Sequence, residues 1–286
     1  MKKANDIPLV IKNPINLLRV YLPHIYKLIS DSKKMISRVE KSYSSRLRSV
    51  IDSIEQSGVF SARTTVFDLM WEALEKNQES IIFLRFIDST VRQLLSAINQ
   101  QLKRQVAKLC YKMIVTFNQY DSQYKNHFAE IAVINKILTD TRFRLLQIEK
   151  EMANGKSFDF SISNKGEENL VEVYNIDFNI ERLKTKEGFH LFIETRLTKK
   201  LNEKLVGLPV PYPPNITIPV LWGEIVRLEP FEPVLDAFTP HGIVGPFMMF
   251  AQYKAVDGLI KYDFSTVKAF LEIVKKIRAG NNRSKN

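Results

Sequence analysis

Residues 156–175 have the sequence KSFDFSISNKGEENLVEVYN, in which apolar and polar residues alternate on both sides of a turn signal. The turn signal is Asn164-Lys165-Gly166-Glu167, because glycine readily adopts the positive φ that tight turns require. The pattern therefore predicts a β-hairpin. If Lys165 and Gly166 form a two-residue loop, the numbers of directly opposed residues sum to 331.

This register places two carboxylates against each other. Phe160 then faces Val171 on an apolar side, and Asp159 faces Glu172 on the other side. Two opposed like charges destabilise a hairpin unless something compensates them. Mg²⁺ or Mn²⁺ is a natural compensator, since Mg²⁺ takes oxygen ligands from one or two carboxylates. We therefore expect a metal site at Asp159 and Glu172; the alternative is that both are ordinary residues on a solvated strand face.

The stretch around the hairpin resembles the restriction-endonuclease-like superfamily of nucleases, often written PD-(D/E)XK. Members of that superfamily have a helix, a hairpin with an Asp on one strand and Glu-x-Lys on the next, and then a further helix and strand. The resemblance covers about residues 145–228. It implies that Asp159 and Glu172 are the catalytic and metal-binding carboxylates of a nuclease.

The same resemblance implies which elements flank the hairpin. A helix is expected at Leu145–Ala153 before it, and another at Phe189–Leu205 after it. Glu149 sits where some families of this kind place an additional acidic residue. Glu149 is therefore a third candidate metal ligand.

The motif lysine is missing, because Tyr174 stands at its position. In the mechanism that the resemblance implies, this lysine helps to activate the attacking water and stabilises the charge that grows on the phosphate. A phenol with an ordinary pKa of about 10 supplies no fixed positive charge. Lys184, Lys199 and Lys200 are candidates to supply it from a neighbouring element; the alternative is a decayed nuclease fold used for binding or assembly.

Helical periodicity dominates the first half of the chain. Apolar residues between positions 17 and 153 recur at three- and four-residue steps, which is typical of amphipathic helices. We expect a long helix over residues 25–58, a second capped by Thr64 or Thr65, a third over residues 87–117 and a fourth over residues 126–153. Residues 1–144 are thus predicted to form an antiparallel bundle of long helices.

Beyond Gly155 the composition changes. Nine of the twelve prolines lie there, together with runs rich in Phe, Val and Ile. Residues 145–286 are therefore predicted to form a mixed α/β domain that contains the hairpin, one or two strands within Ile216–Leu228, a closing helix at Phe264–Ile277 and a basic C-terminal tail. The fold class expected for the whole chain is α+β.

Positive charge is concentrated in the first half. Residues 1–150 contain 24 lysines and arginines against 14 aspartates and glutamates, a net charge of +10, whereas residues 151–286 have a net charge of +1. Such an excess of positive charge attracts the phosphate backbone of DNA or RNA. The candidate nucleic-acid-binding residues are Lys33, Lys34, Arg38, Lys41, Arg46 and Arg48. The alternatives are a solvated helix face that keeps the protein soluble and, as a weaker option, a surface that docks on an anionic membrane.

Other features narrow the function classes. A single cysteine, Cys110, excludes a disulfide framework. No glycine loop of the Walker or Rossmann type occurs, and no apolar run is long enough to predict a membrane span, so we expect a cytoplasmic protein. The predicted function is that of a nucleic-acid-associated protein, a metal-dependent nuclease acting on DNA or RNA. The alternative is a noncatalytic interaction or scaffold protein that forms homo-oligomers through its helices.

Overall fold

The chain divides into two structural units, Met1–Asn135 and Lys136–Asn286. The computed structural model describes residues 13–57, 64–116, 122–177, 185–208, 214–223, 225–238, 244–254 and 259–283. The boundary predicted after residue 144 lies within the second unit, where its first strand begins. In these ranges, no helix combines the length and the apolar character that crossing a membrane requires.

The first unit is built from helices, as the apolar periodicity predicts. They are α1 (Pro14–Tyr21), α2 (Pro23–Ile29), α3 (Lys33–Ser57), α4 (Val66–Leu74), α5 (Gln78–Ala97), α6 (Gln100–Val115) and α7 (Tyr124–Asp140), which ends in the second unit. Polar side chains mark their starts: Asn13, Asn77 and Asn99 accept backbone amides in the first turns of α1, α5 and α6. The predicted cap at Thr65 is confirmed, since Thr65 forms a capping box with Asp68 in α4.

Two of the predicted long helices are each divided in the structure. The helices expected over residues 25–58 and 87–117 correspond to α2 with α3 and to α5 with α6. Side-chain caps accompany both breaks, because Ser32 accepts an amide in the first turn of α3 and Asn99 accepts one in the first turn of α6. A cap interrupts the backbone without disturbing the apolar periodicity, so periodicity alone predicts one helix where there are two.

The helix predicted at Leu145–Ala153 is wrong, because Arg144–Glu151 forms strand β1. A β-bulge between Leu145 and Gln147 shifts the register of β1 by one residue. The bulge gives the buried residues Leu145 and Ile148 a spacing of three. This spacing resembles a helical step, although the residues pair with the next strand of a sheet.

A six-stranded sheet forms the centre of the described part of the second unit. In spatial order its strands are β1, β2 (Ser157–Asn164), β3 (Glu167–Asp177), β4 (Asn215–Gly223), β5 (Met248–Lys254) and β6 (Ile260–Thr266). β1, β2 and β3 are antiparallel neighbours, β3, β4 and β5 are parallel neighbours, and β6 is antiparallel to β5. The mixed sheet with a helical first unit confirms the α+β class.

Helices follow the strands of this sheet and cover one of its faces. α8 (Lys186–Leu205) lies between β3 and β4 in the chain, α9 (Ile225–Leu228) and α10 (Glu232–Phe238) lie between β4 and β5, and α11 (Val267–Arg283) follows β6. Their apolar side chains form a buried core with the sheet; it includes Ile193, Leu197, Leu221, Leu235, Met249 and Leu271. The helix predicted at Phe189–Leu205 is confirmed as α8.

The hairpin has the predicted register. Phe160 lies opposite Val171, and the neighbouring pairs keep the same sum of residue numbers up to the turn. Lys165 and Gly166 have φ values of 51° and 92°. Positive φ at both central residues is typical of a type I′ turn, whose twist matches that of the two strands.

One predicted nucleic-acid-binding residue is buried instead of exposed. Arg46 is 3% exposed, and its guanidinium donates two hydrogen bonds of 3.0 Å to the carboxylate of Asp68. Asp68 also accepts the backbone amides of Thr64 and Thr65 at the start of α4. Arg46 therefore ties α3 to α4, and the prediction that it contacts nucleic acid is corrected.

We expect Arg46→Met to lower the free energy of unfolding by about 3–5 kcal/mol, because it leaves the carboxylate of Asp68 buried without its cation. Urea unfolding followed by circular dichroism measures this change. Arg48→Met on the same helix is the control, since Arg48 is exposed and its loss should change the free energy by about 0.5 kcal/mol or less. Equal effects of the two substitutions would contradict the structural role of Arg46.

Candidate active site

Asp159 and Glu172 lie on neighbouring antiparallel strands, as predicted. The paired register ends at Phe160 and Val171; Asp159 and Glu172 are the next residue on each strand, and the alternation of side chains assigns both to the same face of the sheet. Glu172 is 1% exposed, and Asp159 is half-buried. The Asp159 carboxylate accepts the backbone amide of Val173 at 2.7 Å, which holds it against β3.

Two lysines of α8 provide the positive charge that the buried Glu172 needs. Nζ of Lys200 is 2.8 Å from Oε1 of Glu172, and Nζ of Lys204 is 3.1 Å from Oε2. Both contacts are ion pairs, and neither ammonium approaches along a favourable hydrogen-bond direction. The two lysines are four residues apart and therefore project from the same side of α8.

Lys200 also lies beside Tyr174, the residue at the position of the missing motif lysine. Its ammonium is 5.8 Å from the centre of the Tyr174 ring. Burial disfavours the charged form of Lys200, but attraction to Glu172, Asp159 and Tyr174 outweighs that effect and holds the pKa of Lys200 above its ordinary value. Lys200 is therefore an ammonium at neutral pH, with 29% of its side chain exposed.

The turn between β1 and β2 holds the C-terminal end of α8 above the carboxylates. Lys204 donates a hydrogen bond to the carbonyl of Ser157, and Lys156 donates one to the carbonyl of Glu203. Asn154 donates to the carbonyl of Lys204 at 3.2 Å. The last carbonyls of a helix have no partner within the helix, so these bonds stabilise its end and fix its position.

Polar side chains continue on the same face of the sheet. Thr217 on β4 is in register with Glu172, and Ser161 lies two residues beyond Asp159 on β2. Thr217 and Ser161 are both 0% exposed, and neither hydroxyl has a hydrogen-bond partner within the described ranges. A buried hydroxyl without a partner costs about 1–3 kcal/mol. In the described residues these two hydroxyls are therefore uncompensated polar groups on the same face as Glu172.

Three other predicted site residues do not join this cluster. Glu149 is exposed and has a φ of 55°, and the described residues contain no group of three or more acidic, histidine or cysteine side chains that could hold a metal ion. The side chain of Lys199 is 73% exposed and pairs with Glu203 at 3.9 Å, because it lies about 100° around the helix from Lys200. Lys184 falls outside the described residues.

Exposed basic residues follow one helix of the first unit. They are Lys33, Lys34, Arg38, Lys41 and Arg48 of α3, and we call them the α3 basic face. The spacing from Lys34 through Arg38 and Lys41 to Arg48 follows the helical repeat, so these four side chains share one side of the helix. The α3 basic face therefore presents positive charge to solvent.

Sequence reasoning missed Lys204 and Thr217. A signal existed for Lys204, because Leu197, Lys200 and Lys204 recur at steps of three and four and Leu197 is buried. A lysine on the buried side of an amphipathic helix needs a counter-ion, which indicates a facing carboxylate. Thr217 carried no such signal, since threonine is common in strands.

Comparisons with known proteins assign no family to the chain. No family model matches it, and neither the curated proteins nor the solved structures include a significant match. The resemblance to the nuclease superfamily therefore rests on the residues and elements described above.

The two lysines determine how loss of the Glu172 carboxylate should change the stability of the protein. Glu172→Gln leaves Lys200 and Lys204 partly buried without their counter-ion. We expect it to lower the free energy of unfolding of the metal-free protein by about 1–3 kcal/mol, less than for a fully buried pair because both lysines keep some contact with solvent. Urea unfolding measures the change.

Glu203→Gln is the matched control for this substitution. Glu203 lies on the outer side of α8, and its ion pair with Lys199 is long and exposed. Exposed pairs contribute about 1 kcal/mol or less. A gain of stability in Glu172→Gln would mean that repulsion between the opposed carboxylates outweighs the ion pairs.

Proposed function

We propose that the second unit is a metal-dependent nuclease that hydrolyses phosphodiester bonds of DNA or RNA, and that the first unit binds the nucleic-acid backbone. The observation that carries the proposal is the position of Lys200. Its ammonium lies 2.8 Å from Glu172 and over the ring of Tyr174. There it offers the fixed positive charge that Tyr174 lacks, so α8 compensates for the incomplete motif.

The order of elements after the first strand also supports the proposal. A hairpin with Asp159 on β2 and Glu172 on β3 is followed by α8 and then by β4, which is the order that the resemblance implies. The element directly before the hairpin differs, because β1 replaces the expected helix and α7 precedes β1. Support for the nuclease assignment therefore comes from the hairpin and the elements after it.

The residues present fit a divalent cation such as Mg²⁺ or Mn²⁺. Mg²⁺ uses one or two carboxylates and keeps several waters, so Asp159 and Glu172 suffice without a third acidic residue. The hydroxyls of Ser161 and Thr217 lie on the same face and are suited to hydrogen-bond such waters. Asp159 and Glu172 would hold the ion, which when bound supplies a deprotonated water and neutralises phosphate charge.

Lys200 is the chain's own contribution to stabilising the reacting phosphate. In phosphodiester hydrolysis the water oxygen forms a bond to phosphorus, the ester P–O bond breaks, and the leaving oxygen takes up a proton. A fixed ammonium directed at the phosphate oxygens stabilises the charge of the transition state. Because Lys200 is already protonated, it acts as a donor to the phosphate and not as a general base.

The α3 basic face supports a nucleic acid as the partner. Contacts from lysine and arginine to phosphates position a protein on a nucleic acid without reading its sequence. The first 150 residues carry a net charge of +10, which adds long-range attraction to the same partner. We therefore expect binding that depends little on sequence.

In a cleavage assay, the wild-type protein with Mg²⁺ or Mn²⁺ should cut labelled DNA or RNA. Asp159→Asn and Glu172→Gln should abolish the activity, because each removes a ligand of the ion. Lys200→Met should lower kcat by about 10²–10³-fold. Lys199→Met is the matched control. It also removes one positive charge from α8, but the Lys199 side chain is largely exposed, so kcat should be unchanged.

The competing function is a noncatalytic scaffold, in which the ion pairs only hold α8 on the sheet. One observation favours it: a lysine lies next to each carboxylate oxygen of Glu172. A folded wild-type protein with neither cleavage nor affinity for Mg²⁺ or Mn²⁺ at millimolar concentrations would overturn the nuclease assignment. We would then expect the protein to self-associate through the helices of its first unit.

Binding through phosphates predicts a steep dependence on salt. The logarithm of the association constant for duplex DNA should fall with the logarithm of salt concentration by about 0.9 for each neutralised phosphate. Replacing Lys33, Lys34, Arg38 and Lys41 by Gln should flatten this slope, because each lost phosphate contact reduces the number of counter-ions that binding releases. Fluorescence anisotropy at several salt concentrations measures it.

A variant of the second unit with the same change of net charge controls for the overall charge of the protein. It replaces four exposed lysines by Gln: Lys165, Lys186, Lys199 and Lys261. If this variant flattens the slope as much as the α3 variant does, attraction is set by net charge and not by the α3 basic face.

A further inference from the structure

Lys204 has two partners, and only one of them belongs to the proposed metal site. Its ammonium is 3.1 Å from Oε2 of Glu172 and donates a hydrogen bond to the carbonyl of Ser157. The side chain is 19% exposed. The Ser157 carbonyl thus holds the ammonium from the β2 side, next to Glu172.

Lys200 is placed differently. It approaches the other oxygen of Glu172, and its second neighbour is the aromatic ring of Tyr174. A contact with a ring face has weaker directional demands than a hydrogen bond to a carbonyl. Among the described residues, Lys200 therefore has no hydrogen bond to the backbone of β2 comparable to the one that Lys204 donates to Ser157.

We infer that Lys204 is a resident counter-ion of Glu172 that competes with the divalent cation and sets the affinity of the site for it. The inference rests on the proposed metal site. An ion held by Glu172 would bring two positive charges close to the ammonium of Lys204, which the Ser157 carbonyl also holds, and the partly buried site screens this repulsion less than water does. Lys204 is thus a positioning residue that stabilises the metal-free site and weakens metal binding.

The unpartnered hydroxyls give independent support for a ligand at this place. Ser161 and Thr217 are fully buried on the same face as Glu172, and the ammonium of Lys204 satisfies neither of them. The ion pair therefore neutralises the charge of Glu172 but leaves polar groups beside it without partners. A hydrated cation would provide hydrogen-bonding waters for them.

Calorimetric titration of the metal-free full-length protein with MgCl₂ and with MnCl₂ tests the inference. Lys204→Met should bind each ion about tenfold more tightly than the wild type, within the usual range of coupling between two competing interactions. Lys204→Gln keeps a donor for the Ser157 carbonyl and removes only the charge, so it gives the same answer if Lys204→Met fails to fold. Lys204→Arg keeps the charge and should bind as weakly as the wild type.

Lys156→Met is the matched control. Lys156 joins the same turn to the same end of α8 through the carbonyl of Glu203, and no contact to Glu172 involves it. Its substitution should leave the metal affinity within about twofold of the wild type. A purely structural role for Lys204 would give Lys156→Met and Lys204→Met the same affinity.

A second readout follows from the same competition. Saturating Mg²⁺ should raise the Tm of Lys204→Gln more than that of the wild type, because tighter binding to the native state adds more stability. If the wild type binds the ion and both Lys204→Gln and Lys204→Met bind it with the same or lower affinity, the inference is overturned and the nuclease assignment stands. Absence of metal binding in the wild type and in both variants would overturn the nuclease assignment and the inference together.

Discussion

The burial of Glu172 is the constraint on which the second unit depends. A carboxylate that is 1% exposed is severely destabilising without positive partners close to both of its oxygens. α8 meets this requirement only when Lys200 and Lys204 lie directly above β3, which fixes both the rotation of the helix about its axis and its position along the sheet. The turn before β2 then holds the helix end in that place.

The two ends of α8 therefore make different kinds of contact with the sheet. Its first turns bury Phe189 and Ile193 in the apolar core against the sheet. Its last turns present lysines to the polar end of the same face, where Glu172 and Thr217 are neighbours. Because one rigid element carries both sets of side chains, packing of the apolar part determines where the ammonium groups lie.

Each unit contains a buried carboxylate that joins elements distant in the chain, but the two carboxylates differ in how completely they are satisfied. Asp68 receives two aligned hydrogen bonds from Arg46 and backbone amides from the start of α4. Glu172 receives two ion pairs from lysines that remain partly exposed, and buried hydroxyls without partners lie beside it. The first arrangement satisfies its carboxylate completely, whereas the second leaves buried hydroxyls without partners beside the carboxylate.

Local chemistry made the hairpin predictable. The turn residues Lys165 and Gly166 set a two-residue loop, and a loop of known length fixes the pairing of Phe160 with Val171. The placement of Asp159 and Glu172 on the same face follows from that pairing and the alternation of side chains along a strand. The helical character of the first unit was predictable for a similar reason, since the apolar period and the caps act between residues a few positions apart.

Tertiary structure decided the features that depend on distant partners. Arg144–Glu151 has apolar residues at a helical spacing, yet it forms a strand because it pairs with β2 and contains a bulge. Arg46 has the same charge as its exposed neighbours on α3, and only the position of Asp68 makes it a buried residue. The sequence by itself determined that Asp159 and Glu172 share one face of neighbouring strands; only the packing of α8 decided which lysines reach Glu172, because the rotation of a helix on a sheet is set by all of its buried contacts together.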